Sequence, residues 1–150
     1  MLIPNEIFFA QVDDLLEAGE SVQLTVKGYS MRPLLRNERN MVVLRSPAQH
    51  DALQVGDVVL FRYHGRHILH RIVAIDGDRL TIAGDGLYLQ QEHCLTRDVV
   101  GVVEMVIRKK NGRIIRTDST YWKRMSRLWL SLPPLLRRYI LSILFHLGWK

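Results

Sequence analysis

The chain is expected to be mainly β: a coiled, partly barrel-like antiparallel fold with an N-terminal helix and two C-terminal amphipathic helices. Three observations predict this. Short β-branched runs recur between residues 21 and 117. Turns rich in Gly, Asp and Asn separate them at close intervals, and helical periodicity appears only at the two ends. Many short strands spaced in this way suit a compact, strongly coiled sheet.

Residues 6–19 read as the first helix, with Phe8, Val12, Leu15 and Leu16 at helical spacing and Gly19 as its stop. Residues 21–27 alternate, placing Val22, Leu24 and Val26 on one face. Further strands are expected at 40–45, 57–63, 67–75, 79–83 and 98–108. The turns Val55-Gly56-Asp57, His64-Gly65-Arg66, Asp76-Gly77-Asp78 and Gly84-Asp85-Gly86 punctuate them. Asn111-Gly112 supplies positive φ for a hairpin whose return strand is 113–117. Beyond it, Tyr121, Trp122, Met125, Leu128, Trp129 and Leu132 recur on one helical face, with Lys123, Arg124, Arg127 and Ser131 on the other. Pro133-Pro134 breaks that helix, and a second runs over 135–147. Residues 1–118 are therefore expected to form the β-domain, and 119–150 a basic helical tail.

A chain of 150 residues can bury a core, and 47% hydrophobic against 24% charged residues places it among folded globular proteins. The single Cys94 excludes an internal disulfide and a multi-cysteine zinc cluster. His50, His64, His67 and His93 sit in or beside turns rather than along a helix, so neither a metal nor another cofactor is expected. The net charge of +6 conceals a division: residues 1–104 hold 10 Lys/Arg against 14 Asp/Glu, and residues 105–150 hold 11 against 1. Such a tail suits an anionic surface. Its Trp and Leu residues at helical period favour lipid or protein over nucleic acid, so residues 121–149 are a candidate membrane-surface contact, with capping of the β-core as the other reading. Neither helix reaches the roughly 20 apolar residues of a transmembrane span. Asp13, Asp14, Glu17 and Glu20 interrupt any N-terminal signal-like run, so a cytoplasmic protein, or one peripheral to the cytoplasmic membrane, is expected.

Three segments carry chemistry together: Gly28-Tyr29-Ser30-Met31-Arg32-Pro33, His70-Arg71-Ile72 and Gly84-Asp85-Gly86. A serine hydroxyl needs an adjacent base to become a nucleophile, and histidine can take that proton and return it to a leaving amine. Gly28 leaves room for a substrate, Pro33 stiffens the presenting turn, and the Ser30 amide is a candidate oxyanion donor. Alternation puts His70 and Ile72 on one face of their strand and Arg71 on the other, marking Arg71 as structural.

The hexapeptide at 28–33 resembles the G-x-S-M-x-P box of type I signal peptidases and the related LexA-type self-cleaving repressors. Val55-Gly56-Asp57-Val58-Val59 resembles the family's G-D-V-V strand, Leu69-His70-Arg71-Ile72-Val73 its base-bearing strand, and Ala83-Gly84-Asp85 its following G-D turn. The resemblance runs from about Val22 to Val106, with order and spacing preserved. It implies a serine endopeptidase acting on a peptide or preprotein, with Ser30 as nucleophile, His70 as base, and Gly28, Met31 and Pro33 beside the substrate. The lysine of the bacterial housekeeping enzymes is replaced by His70, as in the archaeal and endoplasmic-reticulum branch, and Lys27 does not match the lysine position. Asp85 fits the third, histidine-orienting position by motif, with Glu92 as the alternative. That branch also carries an N-terminal transmembrane anchor, which has no counterpart here. The other reading is a catalytically inactive relative that binds a peptide or partner through the same fold.

Overall fold

The computed structural model describes residues 5–87 and 89–148. Helix α1 (Asn5–Glu17) leads into β1 (Val22–Thr25) and β2 (Asn40–Arg45). Strands β3 (Val58–Tyr63), β4 (Arg66–Asp76), β5 (Arg79–Ala83), β6 (Glu92–Leu95), β7 (Val99–Arg108) and β8 (Ile114–Arg116) follow. Helices α2 (Thr120–Ser131) and α3 (Pro134–His146) close the chain. The expected helices and strands are present, and β6 is an addition too short to show periodicity.

All pairings are antiparallel, in the order β1-β2-β7-β3-β4-β5-β6, with β8 on β7. The sheet is not closed, with β1 and β6 at the two ends of this order. Irregularities at Val43/Leu44, Leu60/Phe61 and Ile72/Ala74 bend it, since an extra residue in one strand increases local twist.

Both faces of the sheet are covered, and strict alternation along β3 divides its residues between two cores. Val58 and Leu60 join Val12, Leu16, Leu44 and Trp122 on one side. Val59 and Phe61 join Ile72, Leu80, Ile82 and Val102 on the other. Helix α1 ends where Gly19 turns to φ +86, with Glu20 N–H donating to Leu15 O at 2.9 Å. That left-handed position is open to glycine at little cost.

The two C-terminal helices differ in how they meet this body. Ser119 caps α2 by accepting from Trp122 N–H at 3.2 Å. Trp122, Ser126 and Trp129 are its buried residues, spaced at helical period. The apolar face expected from sequence is thus only partly used: Tyr121, Met125 and Leu128 remain exposed. Arg137 bridges the break at the prolines, donating to Leu130 O and Leu132 O at 2.6 and 2.8 Å. Helix α3 buries Leu141 alone. Among the described residues no single helix is long and apolar enough to cross a membrane; α2 and α3 reach that length only as a pair bent by 113°.

Candidate active site

Ser30 lies in the loop between β1 and β2, and the loop is tied at both ends. Val26 N–H donates to Asn40 O, and Glu38 N–H donates to Val26 O. Gly28, at φ +88, donates its N–H to Asn37 Oδ1 at 2.8 Å. Met31 and Leu35, joined by a Leu35 N–H to Met31 O bond of 3.0 Å, drive their side chains into the core. Ser30 itself is half-buried between these anchors. The Arg32–Pro33 peptide is cis. Lys27 points outward to an ion pair with Glu38.

The 84–86 turn is pressed against this loop. Gly86 N–H donates to Ser30 O at 2.8 Å. A Cβ on Gly84 would stand 2.5 Å from Ser30 O and 3.0 Å from His70 Nε2, and one on Gly86 would stand 2.8 Å from Tyr29 O. Neither glycine has a positive φ. Both are required by close approach, because any side chain would push apart the serine loop, the turn and the histidine.

His70 comes from β4, paired with Val59 of β3 and only 4% exposed. Its Nδ1 lies 2.9 Å from Glu92 Oε1, an ion-pair approach off the line of an ideal hydrogen bond. Glu92 Oε2 makes no hydrogen bond among the described residues. Register explains the meeting: Ile72 pairs with Ile82, and Ile82 pairs with Glu92. Cross-strand partners share a face, and so do residues two apart, so Glu92 and His70 face the same side. Burial pushes the His70 pKa down from its ordinary value, while the Glu92 carboxylate and then Asp85 oppose that shift. Burial thus favours the neutral ring, with Glu92 on Nδ1 and Nε2 toward Gly84 and the serine loop.

Asp85 is 2% exposed, and its carboxylate is held elsewhere. Arg71 donates to it through Nε and Nη2, both at 2.8 Å. The same guanidinium donates from Nη1 to Gly56 O at 2.8 Å and Ser126 Oγ at 3.0 Å, and it lies 5.6 Å from the Trp122 ring centroid. Trp129 Nε1–H donates to Asp85 O at 2.9 Å. The turn beside Ser30 is thus fastened through Asp85 to β4, to the segment preceding β3, and to α2. Of the two acidic candidates for the third position, Glu92 touches the histidine and Asp85 touches Arg71.

A cleft of about 190 Å³ opens beside Ser30, with Gly28, Met31, His67, Ile68 and Leu69 among its walls. Gly28, Ser30 and Met31 therefore meet there, whereas Pro33 lines a different cavity. His67, expected only as a turn-side histidine, has its Nε2 2.9 Å from Asp13 Oδ1 and its ring stacked on Phe9 with centroids 4.5 Å apart. The contact with α1 is long-range and leaves no local signature. Burial, then Asp98 and Glu92, raise the Cys94 thiol to about 11, which keeps it protonated and unreactive at neutral pH.

The open antiparallel sheet thus brings the serine loop, the 84–86 turn and the buried His70–Glu92 pair next to one another. A model of the signal peptidase, peptidase S26, family matches residues 18–127, most of the chain. The chain belongs to this family of peptidases. No curated protein matches it.

Proposed function

We propose that the protein is a serine endopeptidase of the Ser–His branch of this family, with Ser30 as nucleophile, His70 as base and Glu92 positioning His70. One observation supports the proposal: Ser30 O and His70 Nε2 both crowd the space a Gly84 Cβ would occupy, while Glu92 approaches the opposite ring nitrogen. The Ser30 Oγ attacks the scissile carbonyl as Nε2 takes its proton. The Ser30 backbone N–H stabilises the oxyanion. Collapse breaks the C–N bond, Nε2 returns the proton to the leaving amine, and water then hydrolyses the acyl-enzyme by the same route. Asp85 supports this indirectly, by fixing the turn that holds Ser30.

The substrate enters as an extended strand. Among the described residues, 66–70 of β4 pair with β3 alone, because pairing with β5 begins at Arg71. Among the described strands, β1 pairs only with β2. The cleft lies between the β1-end loop and this free stretch of β4, so a peptide can add to an open edge with its scissile carbonyl in fixed register. Its small volume suits short side chains before the cleaved bond. Peptides carrying a signal-peptidase-type site should be cut by the wild type and left intact by Ser30→Ala and His70→Ala. Cleavage that persists in both variants would refute the assignment.

A further inference from the structure

A larger cavity, of about 670 Å³, lies between the loop following Pro33, the β7–β8 hairpin and the two C-terminal helices. Its walls are of two kinds. Arg36, Arg39, Arg108 and Lys110 supply four cations, and no carboxylate lines it among the described residues. Backbone geometry gathers these cations: Asn40 pairs with Arg108 across β2 and β7, and Lys109 N–H donates to Arg39 O at 3.1 Å. Arg36 N–H donates to Asn40 Oδ1 at 2.8 Å. Burial, and then the charges of Arg39 and Arg108, lower the Arg36 pKa from its ordinary value. Such crowding of like charge favours a bound anion.

The other wall is apolar, built from Val106, Ile115, Trp122, Met125 and Leu144. Leu144 belongs to α3, where Leu135, Tyr139, Ile143, Phe145 and the following Leu147 stand 41–77% exposed. A soluble phosphate or a nucleic acid would satisfy the cations but leave these side chains in water. We infer that this cavity and the exposed face of α3 dock on an anionic lipid surface, with a phosphate headgroup on Arg39, Arg108 and their neighbours and acyl chain against the Trp122–Met125 wall. The 11-to-1 excess of basic over acidic residues in 105–150 draws the same region to that surface. Pro33 and Leu34 also line the cavity, so a docked bilayer lies beside the loop that carries Ser30.

The inference does not depend on the Ser–His reaction, and Ser30→Ala should bind lipid like the wild type. The full-length chain is floated with phosphatidylcholine vesicles, and with equimolar phosphatidylcholine and phosphatidylglycerol. Binding is expected to the mixed vesicles, weakened by salt, and weakened roughly thirtyfold in Arg39→Gln/Arg108→Gln at unchanged Tm. Brominated acyl chains should quench a component of tryptophan emission that Trp122→Phe removes. Equal binding to neutral vesicles, full binding by the double variant, or release by inorganic phosphate beyond that given by chloride at equal ionic strength would each overturn the inference.

Discussion

In the proposed reaction His70 accepts a proton in a place that disfavours its charge, and its two neighbours set the balance. Burial lowers its pKa below the ordinary 6.5, with Glu92 as the largest opposing influence. The rate of Ser30 acylation should therefore rise with pH through an inflection below 6.5 and be level at neutral pH. The same shift affects folding, because the unfolded chain binds this proton more readily than the folded one. The His70 contribution to stability should be complete above pH 6.5 and decline as pH falls toward the folded pKa, as urea titrations across that range can show. Glu92→Gln removes the charge opposing burial, so the acid limb should move to lower pH and acylation should slow by about 10²-fold. An unmoved limb would mean that Glu92 is merely structural. Gly84→Ala tests the close approach of loop, turn and histidine. The displacement it forces should cost on the order of 10²-fold in turnover, with secondary structure by circular dichroism retained.

The 84–86 turn holds its position through an element that looks peripheral in sequence. Helix α2 sends Ser126 to Arg71 and Trp129 to Asp85 O, and Arg71 closes the link by pairing with Asp85. Asp85→Asn leaves the buried guanidinium without its counter-charge and should cost about 3–5 kcal/mol in urea unfolding. What was readable here divides by range. Alternation along β4 was enough to put His70 and Arg71 on opposite faces, and the sequence boxes brought out Ser30, His70 and the 84–86 turn. The partners of the two carboxylates were not readable. Choosing between Asp85 and Glu92 requires the register of β4, β5 and β6 together, and β6 is four residues long. The α2 contacts were equally hidden, because the helix's apolar periodicity is wider than the stripe it buries.

The whole molecule joins an acidic body to a basic end, but the joint falls within the helical region. Helix α2 is stitched into the core by Trp122 and into the site by Ser126 and Trp129, whereas α3 buries one leucine. A chain ending at Leu132 should therefore keep its fold with a modest loss in Tm. One ending at Asp118 should lose more than about 5 kcal/mol, because two buried tryptophans go with it. Strand count and order of punctuation were legible because they are local. The open sheet, with β1 and β6 as its ends, follows from long-range pairing that periodicity does not encode. The central claim is that Ser30 is activated by His70, and covalent labelling tests it most directly. With a serine-reactive acylating probe, mass spectrometry of the intact protein and its peptides should place one adduct on Ser30 in the wild type. The adduct should form far more slowly in His70→Ala. No adduct on wild-type Ser30, or labelling of His70→Ala at the wild-type rate, would contradict the account.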